Sequence, residues 1–333
     1  MSVRVVFFSD THLGFDYPVR PRTEKVRRGP DFFANFRHVL DHAVLTEADL
    51  VVHGGDFFFR SKVHPRIVER AYQSVFEFAD TGIPIAIVPG NHERSVLPPS
   101  LFLNHPNIHV FDRPRTFCFD VGNERLAVSG FPYLKNVRGC FSAAVRQCEA
   151  ERFPAEHRLL CVHHAVDGAV VGPANFTFRG GADVIAGTQL PTHFDAVLSG
   201  HIHRHQVLDL AVPVIYCGSI ERTSYAEKSE TKGFCELTLD QSAAPQMVFH
   251  ELPAREMVDF DGRGYPRPDA LLDALARQVS LYSPRAIVRV RLAAYPDRPL
   301  NRALAAIVPG LLSVVCARPD RRTTAGYAPN SRS

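Results

Sequence analysis

The sequence predicts an α/β fold, strands sandwiched between helices, followed by a small α+β module. Three observations predict it. The early part of the chain alternates apolar and amphipathic runs in the order β-α-β-α-β. The later strands come close together with short turns, which suggests a mixed sheet or two stacked sheets with helices outside. Near residue 251 the texture changes to Pro, Gly and charge.

Residues 3–8 are apolar and β-branched and end at Ser9-Asp10, as a buried strand does. Residues 31–45 follow Pro30. Asp31 is the expected N-cap, and Phe32, Phe33, Phe36, Val39 and Leu40 recur at helical spacing. Residues 50–53 are a second strand running into Gly54-Gly55, and residues 65–79 a second helix with Pro in its first turn. Residues 83–88 are a third strand, stopped by Pro89-Gly90. Further strands are expected at 108–111, 116–121, 126–131, 159–162, 196–198, 213–217 and 234–239, and a helix at 137–150.

The main domain is expected over residues 1–250 and a linker over 251–268. A helix (269–279), an alternating strand (286–292), a helix (300–307) and an apolar strand (311–316) then make a small module over residues 269–317. Residues 318–333, rich in Arg, Pro, Ser and Thr, are expected to be a disordered tail.

Composition narrows the function classes. The chain has 333 residues, 45% hydrophobic and 22% charged, the balance of a globular protein rather than a disordered one. No apolar run approaches the ~20 residues of a membrane span. Residues 1–8 lack a signal peptide's apolar region and cleavage site, so a cytoplasmic protein with no membrane partner is expected. The Cys count is 7, odd, with no CxxC pair, which argues against a disulfide framework or a zinc ribbon. A net charge of +3 neither demands nor excludes a nucleic-acid partner. The 16 His make their spacing the informative feature.

Five short segments each place a hard metal ligand just past the end of an expected strand. They are Asp10-Thr11-His12, Gly55-Asp56, Gly90-Asn91-His92-Glu93, His163-His164 and Gly200-His201-Ile202-His203. Strand ends along one sheet edge converge, and ligands bind there in open α/β sheets. The donors are carboxylate, imidazole and one carboxamide, with no thiolate, a set suited to Mn, Fe, Zn or Mg. They are too many for one tetrahedral ion and suit two ions ~3.5–4 Å apart sharing a carboxylate. Charge fits too: two divalent ions outweigh Asp10 and Asp56 by the amount that one hydroxide and one phosphodiester would neutralise. A neutral Asn91 keeps that surplus.

This series resembles the calcineurin-like metallophosphoesterase superfamily. The opening Ser9-Asp10-Thr11-His12-Leu13-Gly14, with Gly218-Ser219-Ile220-Glu221-Arg222 and Lys232-Gly233, is similar to the bacterial SbcD-like family of DNA repair exonucleases. The resemblance covers residues 3–250, and the module after 268 loosely resembles that family's cap. It implies the calcineurin-like fold: two stacked mixed β-sheets flanked by helices, four layers, with a small α+β C-terminal cap. It also implies site roles. Asp10, His12 and His203 hold a first metal; Asn91, His163 and His201 hold a second; Asp56 bridges. His92 is not a ligand but stands by the leaving-group oxygen. His163 is preferred to His164 because it ends an apolar run, with the reverse assignment left open. Arg94, after the Asn-His-Glu turn, is a candidate substrate-phosphate contact.

The implied function is hydrolysis of DNA phosphodiester bonds by a hydroxide activated between two divalent ions, Mn2+ first, with Fe, Zn or Mg as alternatives. Two further readings stay open: a phosphodiesterase or phosphatase for small nucleotides, and a non-cutting subunit that binds DNA ends. Phe59 stands where the resembled family has His, which weighs against processive nuclease action but not against hydrolysis. The family's SMC-like ATPase partner docks on helices after the cap, and only a short polar tail follows here, so that partnership is not expected. A homodimer is an expectation from the resemblance alone. Arg20, Arg22, Lys25, Arg27 and Arg28 are read either as a DNA-backbone contact or as a solvated loop. Phe57, Phe58 and Phe59 are read as core, and Cys217 as a buried neutral thiol.

Overall fold

A computed structural model describes residues 2–17, 27–94, 96–97 and 105–316. The chain divides into two compact units, Met1–Ala254 and Arg255–Ser333. Arg20, Arg22, Lys25 and the expected tail at 318–333 lie outside the described residues.

The first unit is built on two six-stranded mixed sheets. One runs in the order Ala243–Glu251, Gly233–Asp240, Val3–Phe8, Leu50–His53, Ile85–Ile87, Ile108–Val110. The other runs Gln206–Leu208, Val214–Tyr216, Ala196–Ser199, His157–Val162, Glu124–Gly130, Arg115–Val121. The alternation in the first strand shows how the layers form. Val3, Val5 and Phe7 face inward onto Leu126, Val128, Leu159, Cys161 and Leu198 of the second sheet. Val6 and Phe8 face outward onto Phe32, Phe36, Val39 and Val75 of the helices Gly29–Leu45 and Pro65–Ala79. On the far side, Leu160, Val162, Val197 and Val214 pack under Phe141 and Val145 of the helix Val137–Gln147. The result is four layers, with apolar cores between each pair.

Several local expectations change. The first helix begins at Gly29, so Pro30 and Asp31 lie in its first turn and Arg28 is the N-cap, without a side-chain cap. Pro fits there because its missing N–H would be unpaired anyway, and Asp31 complements the helix dipole. The short strands Ala165–Val166, Val170–Val171, Phe176–Thr177 and Val184–Ile185 were not anticipated, because two residues give no periodicity to read.

In the second unit, Met257–Asp261, inside the stretch expected to be a linker, is a strand parallel to Ile287–Leu292, which in turn pairs with Leu311–Cys316. Its two Asp residues disguised it. Asp259 stands opposite Arg289 and is bound by the guanidinium groups of Arg289 and Arg291, so charge pairs across the exposed face. The helices Pro268–Val279 and Arg298–Ile307 cover the other face through Leu271, Leu275 and Leu304. Among the described residues, no helix is long and apolar enough to cross a membrane.

Candidate metal centre

The C-terminal ends of five parallel strands, three from the first sheet and two from the second, meet at one edge. Val3–Phe8 delivers Asp10 and His12, Leu50–His53 delivers Asp56, and Ile85–Ile87 delivers Asn91 and His92. His157–Val162 delivers His163, and Ala196–Ser199 delivers His201 and His203. Backbone bonds lock the ends together: Gly54 N–H donates to Phe8 O (2.9 Å), Asp10 N–H to Gly55 O (2.9 Å) and Gly200 N–H to Val162 O (3.1 Å).

The turns are strained in the same way. Asp10, His12, Asp56 and His201 all have positive φ, at 53°, 42°, 54° and 78°. Non-glycine residues adopt such angles rarely, and such strain concentrates at functional sites. Two glycines make room for the donors. A Cβ on Gly55 would meet Nδ1 of His163 at 2.3 Å, and one on Gly90 would meet Oδ1 of Asp56 at 2.2 Å.

The donor atoms fall into two groups that share Asp56. In the first, Nε2 of His12 is 3.0 Å from Nε2 of His203 and 3.9 Å from Oδ1 of Asp10, which is 3.7 Å from Nε2 of His203. In the second, Oδ1 of Asn91 is 3.1 Å from Nε2 of His163 and 3.0 Å from Nδ1 of His201. Oδ2 of Asp56 is 3.9 Å from Nε2 of His12 and 3.3 Å from Nε2 of His163. Donors bound at about 2.0–2.2 Å around one ion lie about 3–3.6 Å from each other; the spacings of 3.0–3.3 Å match that, and those of 3.7–3.9 Å around Asp10 and His12 are somewhat wider. All seven expected ligands come together, and the donor set is hard to borderline.

The two adjacent histidines part company. His163 faces the donors and donates from Nδ1 to Gly54 O (2.7 Å). His164 turns away: its Nε2 sits 3.0–3.1 Å from the backbone N and O of Leu134, and its ring stacks on Tyr133 at 5.0 Å.

His92 stands beside the cluster. Its backbone N–H donates to Oδ1 of Asp56 (2.9 Å), and its Nδ1 donates to Phe59 O (2.6 Å), which leaves Nε2 directed to Oδ2 of Asp56 at 3.7 Å. The side chain is 36% exposed, so it can reach a bound substrate. Phe59 is half-buried, its ring 6.0 Å from His92 and 6.3 Å from His12, whereas Phe57 and Phe58 are core. Arg94 is exposed at the end of the same turn. Arg28 is buried and bound to Glu221 and the carbonyl of Arg222, and Arg27 pairs with Asp16 at 2.8 Å. Neither the DNA-backbone reading nor the solvated-loop reading suits Arg28. Cys217 is buried, and burial pushes its thiol well above the ordinary range.

Charge is balanced internally. Burial opposes ionisation of Asp56, but His163, His12 and His92 outweigh it and hold the carboxyl below its ordinary range. Burial raises Asp10, against the pull of His163 and His203. Burial also opposes protonation of His163, yet Asp56 and Asp10 raise it to about 9. His203 is raised despite burial, through Glu227 and Asp10. Burial and neighbouring imidazoles lower His12, and His201 to about 3. The buried carboxylates thus draw positive charge from two imidazoles, charge that divalent ions would supply instead.

A supporting shell was not visible in the sequence. Glu227 accepts from Nδ1 of His203 (3.3 Å) and pairs with Lys232 at 2.7 Å. Lys232, fully buried, also donates to His203 O (2.9 Å) and pairs with Glu230 at 3.0 Å. Carboxylates that fix the far nitrogen of a ligating imidazole set its tautomer and direction. Lys232-Gly233 stands out in the sequence, but Glu227 has no local signal. Glu93 is similar: it accepts from the N–H groups of Gly90 (2.9 Å) and Phe58 (2.5 Å), tying two ligand-bearing turns together.

The model of one family, calcineurin-like phosphoesterase, matches residues 3–205. The chain belongs to that family. It is a family of hydrolases, and the Asp and His groups gathered here suit its divalent metals. Among curated proteins, this member is similar to the DNA double-strand break repair protein Mre11 of Aeropyrum pernix, 26% identical over 66% of this chain and 53% of that protein. It is also similar to the protein of that name from Methanosarcina mazei, 29% identical over 72% of this chain and 36% of that one. The chain therefore spans about half, or less, of the length of these relatives. Among solved structures, a dimetal phosphatase from Danio rerio aligns over 74% of this chain and 98% of that one, with TM-score 0.44 and 12% identity.

Proposed function

We propose that this phosphoesterase hydrolyses phosphodiester bonds in DNA, using two divalent metal ions, Mn2+ in the first instance. The observation that carries the metal reading is the position of Asp56, whose Oδ2 belongs to both donor groups. Asp10, His12 and His203 would hold one ion, Asn91, His163 and His201 the other, and Asp56 would serve both. Ions bound there would neutralise phosphate charge and make water a nucleophile near neutral pH.

The chain's own residues do the rest. Glu227 and Gly54 O orient His203 and His163 through their far ring nitrogens. Phe59 O fixes the His92 tautomer, so that an added proton at Nε2 can pass to the departing oxygen. The half-buried ring of Phe59 packs 6.0 Å from the His92 ring. DNA as the substrate rests on the relatives, whose printed names are those of break-repair proteins.

The test is hydrolysis, with Mn2+ added, of bis-p-nitrophenyl phosphate, single-stranded DNA and blunt duplex DNA, beside an Asp56→Ala control. Cleavage of DNA that disappears in the control supports the proposal. Cleavage of the small diester alone moves the function to small nucleotides, and binding of DNA ends without cleavage moves it to a recognition subunit.

A further inference from the structure

A second cluster of metal-ligating side chains lies outside the strand-end centre and shares no residue with it. His42 comes from the last turn of the helix Gly29–Leu45, Glu236 from the strand Gly233–Asp240 and His250 from the edge strand Ala243–Glu251. Phe234 and His250 are direct cross-strand partners, and Phe234 and Glu236 lie two apart on one strand, so all project to the sheet face that the helix covers. One ligand atom from each of His42, Glu236 and His250 lies within 4.8 Å of the others.

One pair in the cluster is hydrogen-bonded, His42 to Glu236, while the third member, His250, is left without a partner at Nε2. Nε2 of His42 is 2.8 Å from Oε2 of Glu236, and Nε2 of His250 is 3.8 Å from that same oxygen. Nε2 of His250 is buried and has no hydrogen-bond partner. An unpaired buried nitrogen is unfavourable unless something fills the gap. The other oxygen of Glu236 is taken by Arg4, at 3.4 Å from Nε, as the outer oxygen of a ligating carboxylate often is. The two imidazoles are held by Phe234, stacked on His250 at 5.0 Å and edge-on to His42 at 4.8 Å. Both histidines are partly exposed, 17% and 31%, which leaves an entry path and an open position.

We propose that His42, Glu236 and His250 form a second metal site, for Zn2+ or a similar borderline divalent transition ion. Two imidazoles and one carboxylate are a donor set that zinc accepts, with water completing the tetrahedron. Such an ion would tie the helix to the two antiparallel strands at the sheet edge, a structural clamp rather than a reaction centre.

The experiment counts zinc. Full-length protein is stripped with chelator and reloaded at micromolar Zn2+, and bound metal is measured by mass spectrometry. Wild type is compared with two site variants, His250→Gln and Glu236→Gln, and, separately, Asp56→Asn is compared with the double variant Asp56→Asn/His250→Gln. His250→Gln and Glu236→Gln are each expected to bind one ion fewer per chain at that concentration, with at least about a tenfold loss of affinity, and to keep their hydrolytic activity. Asp56→Asn is expected to retain an ion that Asp56→Asn/His250→Gln loses. Wild-type zinc content in folded His250→Gln and Glu236→Gln would overturn the site, as would failure of Asp56→Asn to retain that ion. Glu236→Gln preserves shape, so it keeps the test valid if His250→Gln folds poorly.

Discussion

Oδ2 of Asp56 lies 3.3 Å from Nε2 of His163, across the junction of the two sheets. That contact joins a turn of the first sheet to a strand end of the second. It depends on Gly55 and Gly90, which let the imidazole and the carboxylate approach the backbone.

Gly55→Ala and Gly90→Ala are expected to displace His163 and Asp56 respectively. Overpacking of this kind costs about 1–3 kcal/mol, and the positive φ of 106° at Gly55 adds strain. Metal titration should show weakened binding in both variants, and chemical denaturation a modest loss of stability. Unchanged metal affinity in Gly90→Ala would mean that Asp56 tolerates movement.

His92→Ala should lower turnover by about 10²–10⁴-fold and leave metal content unchanged. The loss should shrink for p-nitrophenyl esters, whose leaving group needs little help from an acid. Measuring both kinds of ester at saturating metal separates this role from ligation; loss of metal in the variant would make His92 a ligand.

Glu227→Gln should weaken metal binding by about 10–100-fold, because the amide holds His203 less firmly. Lys232→Met should destabilise the fold by about 3–5 kcal/mol, since it leaves the buried Glu227 without its cation, whereas Glu230 keeps Arg204. Thermal melts and metal titrations distinguish the two effects.

His53, directly behind the donors but not one of them, supplies a pH dependence. Its Nδ1 accepts from Gly55 N–H (3.2 Å) and its Nε2 donates to Oγ1 of Thr11 (3.0 Å), so the neutral ring is satisfied. Burial, reinforced by His163, lowers it to about 3. The unfolded chain, with a pKa of about 6.5, takes up this proton first. Stability is therefore kept above pH ~6.5 and lost as pH falls toward ~3, at about 1.4 kcal/mol per pH unit from this group. Urea unfolding of the metal-free protein between pH 7 and 5 should show the slope, and His53→Gln should flatten it. An equal slope in the variant would assign the loss to other groups.

Much of this architecture was legible because strand ends carry their ligands in sequence. Asp10, Asp56, Asn91, His163 and His201 each follow an apolar run, and the parallel pairing of those runs brings them to one edge. The choice between His163 and His164 was harder, since adjacent residues differ only in which side they face. Glu227 and the His42–Glu236–His250 group were invisible, because their partners are distant in sequence and packed only by the tertiary fold. The strand at Met257–Asp261 was masked by two carboxylates: Asp259, whose partners Arg289 and Arg291 lie on another strand, and Asp261, which pairs with Arg263 just past its end. The left-handed backbone at Asp10, His12 and His201 has no sequence signature, since none of these residues is glycine.

The most direct test of the shared-carboxylate centre is electron paramagnetic resonance of the protein loaded with Mn2+. The wild type is expected to give the signal of a spin-coupled Mn2+ pair, replaced in Asp56→Ala by weakly bound, uncoupled Mn2+ together with loss of phosphodiester hydrolysis. A wild-type protein that is fully active with a single uncoupled Mn2+ per chain would contradict it.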